Sequence, residues 1–288
     1  MSEAAASVSD LLGIPVSTMS DLGRSHAWTL HRARLADGRD VFVKAADGEL
    51  DSESGSALQA EAAGLRWLGE GDRAGLVPAV LGSDERTLVL PWLRPTAPTA
   101  AAAEEFGRAL AALHATGPAE YGAPWPGFIA TLPQDNSPTA GEWGPWYAQR
   151  RLAPLLPAAA PRLGTRGVGL VERVMSEIDS LAGPSEPPSR IHGDLWSGNL
   201  MWTAAGVKVI DPAAHGGHRE SDLAMLALFG APHLDRVTAA YREAYPLSSG
   251  WRHRIPLHQL YPLLVHVVLF GGSYRSMTID AAESALRG

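Results

Sequence analysis

The chain has no cysteine in its 288 residues. Disulfides, thiol chemistry and zinc–thiolate sites are therefore excluded, and a reducing compartment is compatible with the composition. No block of basic residues occurs either. With 24 Lys and Arg against 31 Asp and Glu the formal charge is −7, so neither nucleic acid nor an anionic membrane surface is an expected partner. Long hydrophobic runs are also missing: the most apolar stretch, Leu260 to Phe270, is interrupted by Pro262 and His266. It falls well short of the ~20 residues of a membrane-spanning helix and reads as a core helix. The opening MSEAAASVSD lacks the basic region and apolar core of a secretion signal, so the chain is expected in the cytoplasm. There is no internal repeat, and low complexity is confined to the Pro/Ala-rich patches 95–103 and 154–161.

What remains is an ordinary globular composition, 45% apolar and 19% charged, in a chain long enough for two lobes with separate cores. Its most informative stretch runs from Ile191 to Asp222. Leu200 to Trp202 and Val207 to Ile210 are short apolar runs separated by Ala204, Ala205 and Gly206, the pattern of a β-hairpin. An antiparallel hairpin returns the chain to its starting edge. Asn199, before the first strand, and Asp211, after the second, are therefore expected side by side as a magnesium site. Asp194 precedes them in the order His192-Gly193-Asp194, four residues, Asn199, then Asp211-Pro212-Ala213. That order is the kinase arrangement of a base and two metal ligands, with Asp194 taking the proton of the attacking hydroxyl. Asp and Asn more often cap turns, but four matched positions at both spacings favour the catalytic reading. His-Gly-Asp and Asp-Pro-Ala, in place of His-Arg-Asp and Asp-Phe-Gly, point to small-molecule acceptors.

Upstream, two strand-like runs in residues 26–45 flank Asp37-Gly38, a hairpin signal, and Phe42 and Lys44 share a face of the second. The helix SALQAEAAGLRWLGE repeats Leu58, Ala62, Leu65 and Leu68 at helical spacing, with Glu61 on or beside the apolar face. A carboxylate there needs a partner, and pairing with Lys44 would position that lysine for ATP phosphates; an exposed shoulder position is the alternative. In place of a Gly-rich phosphate loop the chain has SDLGRSHAW with one glycine, Gly23, where Ser20, Ser25 and nearby backbone are the available donors. Strands are expected at Val77–Leu81 and Leu88–Leu93. Pro91, Trp92 and Leu93 occupy the position of an interlobe hinge that borders adenine, where Pro91 retains only an acceptor.

Downstream, Glu104 to His114 reads as a scaffold helix without chemistry, and helices are expected at Leu234–Tyr245 and Leu257–Arg275. Most of the nine tryptophans read as packing residues. Trp196, between Asp194 and Asn199, is the exception and the candidate acceptor contact. His215 and His218 flank a Gly-Gly turn and are expected to bond local backbone, not zinc. Ser221 is expected to cap the helix that follows. Asp222 would favour its dipole and, with His192, support the catalytic loop.

HGDLWSGN, DPA and GHRESDLAMLALFG, with FVK and AEAAGLRWL upstream and FIATLPQDN and QLYPLLVHVVLFGGSY elsewhere, resemble the fructosamine (ketosamine) kinase family among the aminoglycoside-phosphotransferase-like kinases. Three positions depart from that pattern: Pro91 stands where family members often have an acidic residue, Gly127 where the family usually has Asn, and Ala130 where it has glycine. The resemblance implies an α+β, two-lobed protein-kinase-like fold. An N-lobe of residues 1–93 would bind ATP, and a mostly helical C-lobe of residues 94–288 would carry the catalytic and Mg²⁺ loops. It also implies a monomer acting on a ketosamine or glycated amine, free or protein-borne, phosphorylated on its third carbon. Other small-molecule kinases of this fold, such as aminoglycoside phosphotransferases, and a nucleotide-binding pseudokinase are the rival readings.

Overall fold

The structure, a computed structural model, describes residues 2–25, 27–46 and 52–288, with backbone alone for 52–55. His26, the first residue of the expected hairpin segment, lies outside them. Helix α1 (Glu3–Leu12) starts at Ser2, whose side chain accepts from the amide of Ala5, and stops at Gly13. Strands β1 (Val16–Ser25), β2 (Trp28–Leu35) and β3 (Asp40–Ala46) follow as an antiparallel meander with Gly38 in the β2–β3 turn at φ 85°. Helix α2 (Ser52–Gly71) then leads to β4 (Gly82–Ser83) and β5 (Thr87–Pro91), which complete a sheet of order β1-β2-β3-β5-β4.

The two-residue period of β3 sorts its side chains. Val41, Val43 and Ala45 join Val8 of α1 in one core, whereas Phe42 and Ala46 face Leu58, Ala62 and Leu65 of α2 in another. Lys44 falls on the α2 side. Its position in the fold therefore follows from alternation along one strand.

The chain then crosses to α3 (Ala100–His114), capped by Thr99. Two short strands, β6 (Gly127–Ile129) and β7 (Leu132–Gln134), precede α4 (Trp143–Tyr147), which runs through a π-turn into α5 (Leu156–Ser176) and α6 (Ile178–Leu181). Strand β8 (Ser189–Ile191) pairs with β11 (His215–Gly217), and between them lies the hairpin β9 (Leu200–Thr203) and β10 (Gly206–Val209). Helices α7 (Glu220–Phe229), α8 (Leu234–Ala244), α9 (Trp251–Phe270) and α10 (Arg275–Ala285) close the larger lobe. One of its cores joins α3, the β9–β10 hairpin and α8, and takes in Leu68 and Leu76 from the smaller lobe. The other gathers Trp143, Trp146, Leu163, Leu260 and Leu264 around α4, α5 and α9.

Several local expectations are corrected. Val77–Leu81 is not a strand: Asp72 accepts from the amides of Ala74 and Val77, Pro78 has no amide to give, and the segment reaches β5 only at its end, where the Leu81 amide donates to the Val89 carbonyl ahead of the Gly82–Ser83 pairing. Half of the 95–103 patch is helix from Ala100, and the 154–161 patch enters α5, which kinks at Gly164. The last expected helix ends at Phe270 because Gly271 turns out of it at φ 87°, and α10 begins separately at Arg275. The single-glycine segment before β2 is strand β1. A register shift between Asp21 and Gly23, with Gly23 at φ 105°, provides its bend.

Helix α3 meets α8 at Gly107, where an added Cβ would lie 2.3 Å from the Val237 carbonyl oxygen and 3.0 Å from the Tyr241 amide nitrogen. Gly107→Val should therefore destabilise the fold by about 1–3 kcal/mol, as overpacking does. Urea denaturation measures this, and an unchanged midpoint would count against so close an approach.

Candidate active site

The hairpin performs the expected convergence. The pairing of Leu200 with Val209 is extended by the Ile210 amide, which donates to the Asn199 carbonyl at 3.1 Å. Asn199 and Asp211 thus leave the same edge and line one cavity of about 170 Å³ together with Asp194, Trp196, Lys44 and Glu61. A second hollow of about 290 Å³ shares Ser25, Lys44 and Asp211 with it and extends to Leu90, Pro91, Trp92 and Leu93. The two form one cleft between the sheet and the helical lobe, with Leu22, Leu30, Phe42 and Met201 supplying apolar walls to its outer part. The Trp92 amide donates to the Asp40 carbonyl and its ring carries the Arg32 guanidinium, so its contribution to the cleft is limited to what those leave free.

Lys44 and Lys208 are the chain's two lysines. Lys44 is buried, with its ammonium 2.6 Å from Glu61 Oε2 and 3.3 Å from Asp211 Oδ1 and lying over the Trp28 ring. Burial opposes its charge, yet the two carboxylates outweigh that penalty and raise its pKa. Glu61 is 7% exposed, and burial pushes its carboxyl up to about 8 against the pull of Lys44. The buried alternative for Glu61 is the one realised. Helix α2 is also set against the Asp211 segment at Gly64, where an added Cβ would stand 3.0 Å from that of Ala214.

Asp194 is partly buried. One carboxylate oxygen accepts from Asn199 Nδ2 at 3.0 Å, and the same amide donates to the Asp194 carbonyl at 2.8 Å. Burial raises its pKa to about 7; Asn199 works in the other direction, and Asp211 and Asp222 add to the rise. Asn199 has its amide oxygen left for a cation, and Asp211 offers a carboxylate whose side chain is 42% exposed. This all-oxygen donor set suits Mg²⁺. Asp211 itself adopts φ 52°, an uncommon conformation for a non-glycine residue that recurs at functional positions.

The catalytic-type loop is held from beneath. Asp222 is buried and accepts from the amides of His192 (2.7 Å) and Gly193 (2.9 Å), as the sequence led one to expect. His192 donates from Nε2 to the Ile210 carbonyl (2.9 Å) and accepts at Nδ1 from the Asp194 amide (3.2 Å), which ties this loop to the Asp211 segment. Burial lowers its pKa, consistent with that neutral tautomer. Gly193 stands at φ 79°, and a Cβ there would lie 2.3 Å from the Ala213 carbonyl oxygen.

Three features escaped the sequence. His114, at the end of the helix assigned no chemistry, contacts Asp222 through Nε2 (3.1 Å) and Tyr241 through Nδ1 (2.8 Å). Ser221 does not cap α7, whose N-cap is Arg219; it sits in the first turn and bonds His258. Arg219 grips Glu186 through two bonds, and Arg254 takes both oxygens of Glu220 (2.9 and 2.6 Å), fastening α7 to α9 and to the segment before β8. His215 donates to the Ala213 carbonyl and His218 accepts from the Glu220 amide, so both engage local backbone. Further out, Ala130 adopts φ 53°, which explains why glycine suits that position, and a Cβ on Gly127 would meet the Asn136 amide at 2.4 Å. Asn136 and the Asp135 carbonyl accept from the buried Arg151.

Residues 17–287 match the family model described as fructosamine kinase. A Thermus thermophilus protein named a ketoamine kinase is 37% identical over 221 residues, covering 75% of this chain and 78% of that one. A crystal structure of a Thermobifida fusca protein named for fructosamine-3-kinase superposes with a TM-score of 0.95 at 52% identity, covering 99% of both chains. The fold extends to a macrolide 2'-phosphotransferase type I, with a TM-score of 0.62 at 17% identity over 99% of this chain and 98% of that one.

Asp222 tests the support beneath the loop. Burial alone would raise its pKa, but the hydrogen bonds from His114 and from the His192 amide hold it below the usual carboxylate value. Its stabilising effect is therefore complete above the unfolded value of ~3.9 and is lost as pH falls through the lower folded value. Asp222→Ala should cost about 3–5 kcal/mol at pH 7, since it strands buried donors. In urea titrations that deficit should shrink as the pH is taken below ~4; a pH-independent deficit would contradict the assignment.

Proposed function

The chain belongs to the fructosamine kinase family, and from that premise we propose that it transfers the γ-phosphoryl of ATP to the third-carbon hydroxyl of a ketosamine, with Asp194 as the base. The observation that carries this reading is the convergence of Asp194, Asn199, Asp211 and the Lys44–Glu61 pair in one cleft. Asp194 has a carboxylate oxygen that Asn199 does not occupy, and it is placed to accept the acceptor's hydroxyl proton as the oxygen forms its bond to phosphorus. The bond from phosphorus to the leaving ADP oxygen breaks in the same transfer. Lys44, held by Glu61, meets phosphate oxygens and offsets their charge. Asn199 and Asp211 would hold Mg²⁺, which supplies charge neutralisation at the phosphates when bound.

Pro91, Trp92 and Leu93 border the end of the cleft away from Asp194 and are read as the adenine site. Trp196 is the sugar contact. It is 39% exposed beside Asp194, while Trp28, Trp143, Trp146 and Trp202 are buried, in keeping with packing for most tryptophans. We place the lobe boundary after Leu93, with residues 1–93 for ATP and 94–288 for the acceptor. Leu68 and Leu76 lean across it into the helical core, and Lys44 reaches across it to Asp211 as Gly64 does to Ala214. A cytoplasmic monomer completes the reading; among the described residues no helix is long and apolar enough to cross a membrane.

Asp194→Asn should lower turnover by ~10²-fold or more while ATP still binds. Because the base acts ionised and its pKa is raised, the acid limb of the wild-type kcat/KM profile should lie above the ~4 of an ordinary carboxylate. Wild-type turnover in the variant would remove Asp194 from the role. Lys44→Met should raise the KM for ATP or depress kcat, and Glu61→Gln should do so more mildly; kinetics for ATP indifferent to both changes would break the proposed phosphate site. A panel of ketosamines, free sugars and aminoglycosides tests the acceptor, and activity on aminoglycosides alone would overturn the ketosamine assignment.

A further inference from the structure

A line of rings leaves the cleft at Trp196. Its indole meets the edge of Phe229, at the end of α7, with centroids 6.1 Å apart. Phe229 faces His266 of α9 at 4.8 Å, and His266 in turn lies 5.3 Å from Phe270 and 4.7 Å from Tyr274. The last two face each other at 6.2 Å. Four separate segments thus contribute to one contiguous aromatic surface.

Core packing accounts for Tyr274, which lies against the core of the larger lobe, but not for the ends of the line. Phe270 is 58% exposed, and it and Trp196 are two of the four exposed large hydrophobic side chains among the described residues. Exposed apolar surface gathered into one patch and continuous with a reaction cleft is the mark of a binding site. The line carries no charge of its own. His266 donates from Nδ1 to the Pro262 carbonyl at 2.7 Å, and burial lowers its pKa, so it is neutral. The rings offer faces to alkyl, aryl and ammonium groups, and the cations beside them, Arg162 and Arg275, donate to the Val268 and Leu163 carbonyls.

A ketosamine phosphorylated on its third carbon carries its amine two carbons away, on C1. The cavity at Asp194 is bordered on one side by Phe128, Ile129 and Ala130 and on another by Trp196; with the sugar against Trp196, the route past that indole leads onto the exposed rings. We propose that the line from Trp196 through Phe229 and His266 to Phe270 and Tyr274 is the subsite for the group on the acceptor's amine, and that it selects ketosamines of hydrophobic and aromatic amines. This rests on the ketosamine reading given above.

The test measures KM for the fructosamines of methylamine, butylamine and phenethylamine at saturating ATP. In the wild type, KM should fall about tenfold from the first to the last, equivalent to ~1.4 kcal/mol. Phe270→Ala and Tyr274→Ala should each raise KM for the phenethylamine compound toward the methylamine value, with thermal melts confirming that both variants fold. The assignment is overturned if the wild type treats the three amines alike, or if the preference survives in both variants. It is equally overturned if Phe270→Ala splits a wild-type dimer without altering the preference, since the patch would then serve self-association. If no ketosamine is phosphorylated but another hydroxyl acceptor is, the acceptor reading itself fails and the subsite falls with it.

Discussion

A single buried ammonium is the constraint on which this structure turns. An isolated charge in the interior carries a penalty of several kcal/mol even after relaxation, so Lys44 is tolerable there only with partners of opposite charge. Glu61 arrives on α2 and Asp211 on the turn after β10. Two carboxylates around one ammonium leave net negative charge in the cleft, where burial already drives Glu61 toward its neutral form.

The helical lobe solves a related problem with a different device. The loop from His192 to Asn199 has little regular structure, and its buried amides need acceptors. Asp222 supplies two from a helix that is itself anchored by Arg254 on Glu220 and Arg219 on Glu186. Buried ion pairs of this kind contribute little net stability against hydrophobic replacements, but removing one partner is severe. Their effect here is positional: they set where α7 begins, hence where Asp222 points, hence where Asp194 sits.

Alternation along β3 and the helical period of α2 were enough to pair Lys44 with Glu61, because each residue's face is decided within its own element. The convergence of Asn199 and Asp211 was legible for a similar reason, since a tight hairpin has one geometry. His114 was not. Its partners Asp222 and Tyr241 lie more than a hundred residues away, and nothing in ALHATG distinguishes a histidine that reaches them from one that ends a helix in solvent. Val77–Leu81 misled because an apolar run beside a turn resembles a strand until the Asp72 carboxylate is seen to take the Val77 amide. The exposed rings were hidden by composition: Phe229, His266, Phe270 and Tyr274 each look like ordinary helix residues, and only assembly of α7 and α9 sets them in a row.

Gly193 carries one more consequence. Its positive φ and the Ala213 carbonyl oxygen beside it leave no room for a side chain. Protein kinases place an arginine in this position of the His-x-Asp motif, and phosphorylation orders their activation loops through arginine–phosphate pairs. This chain has forgone that arginine, and residues 212–219 are all that connect Asp211 to α7. The Lys44–Glu61 pair joins β3 to α2 at 2.6 Å. A phosphate arriving beside this loop would meet no guanidinium at position 193, and the short 212–219 connection leaves little chain for it to order.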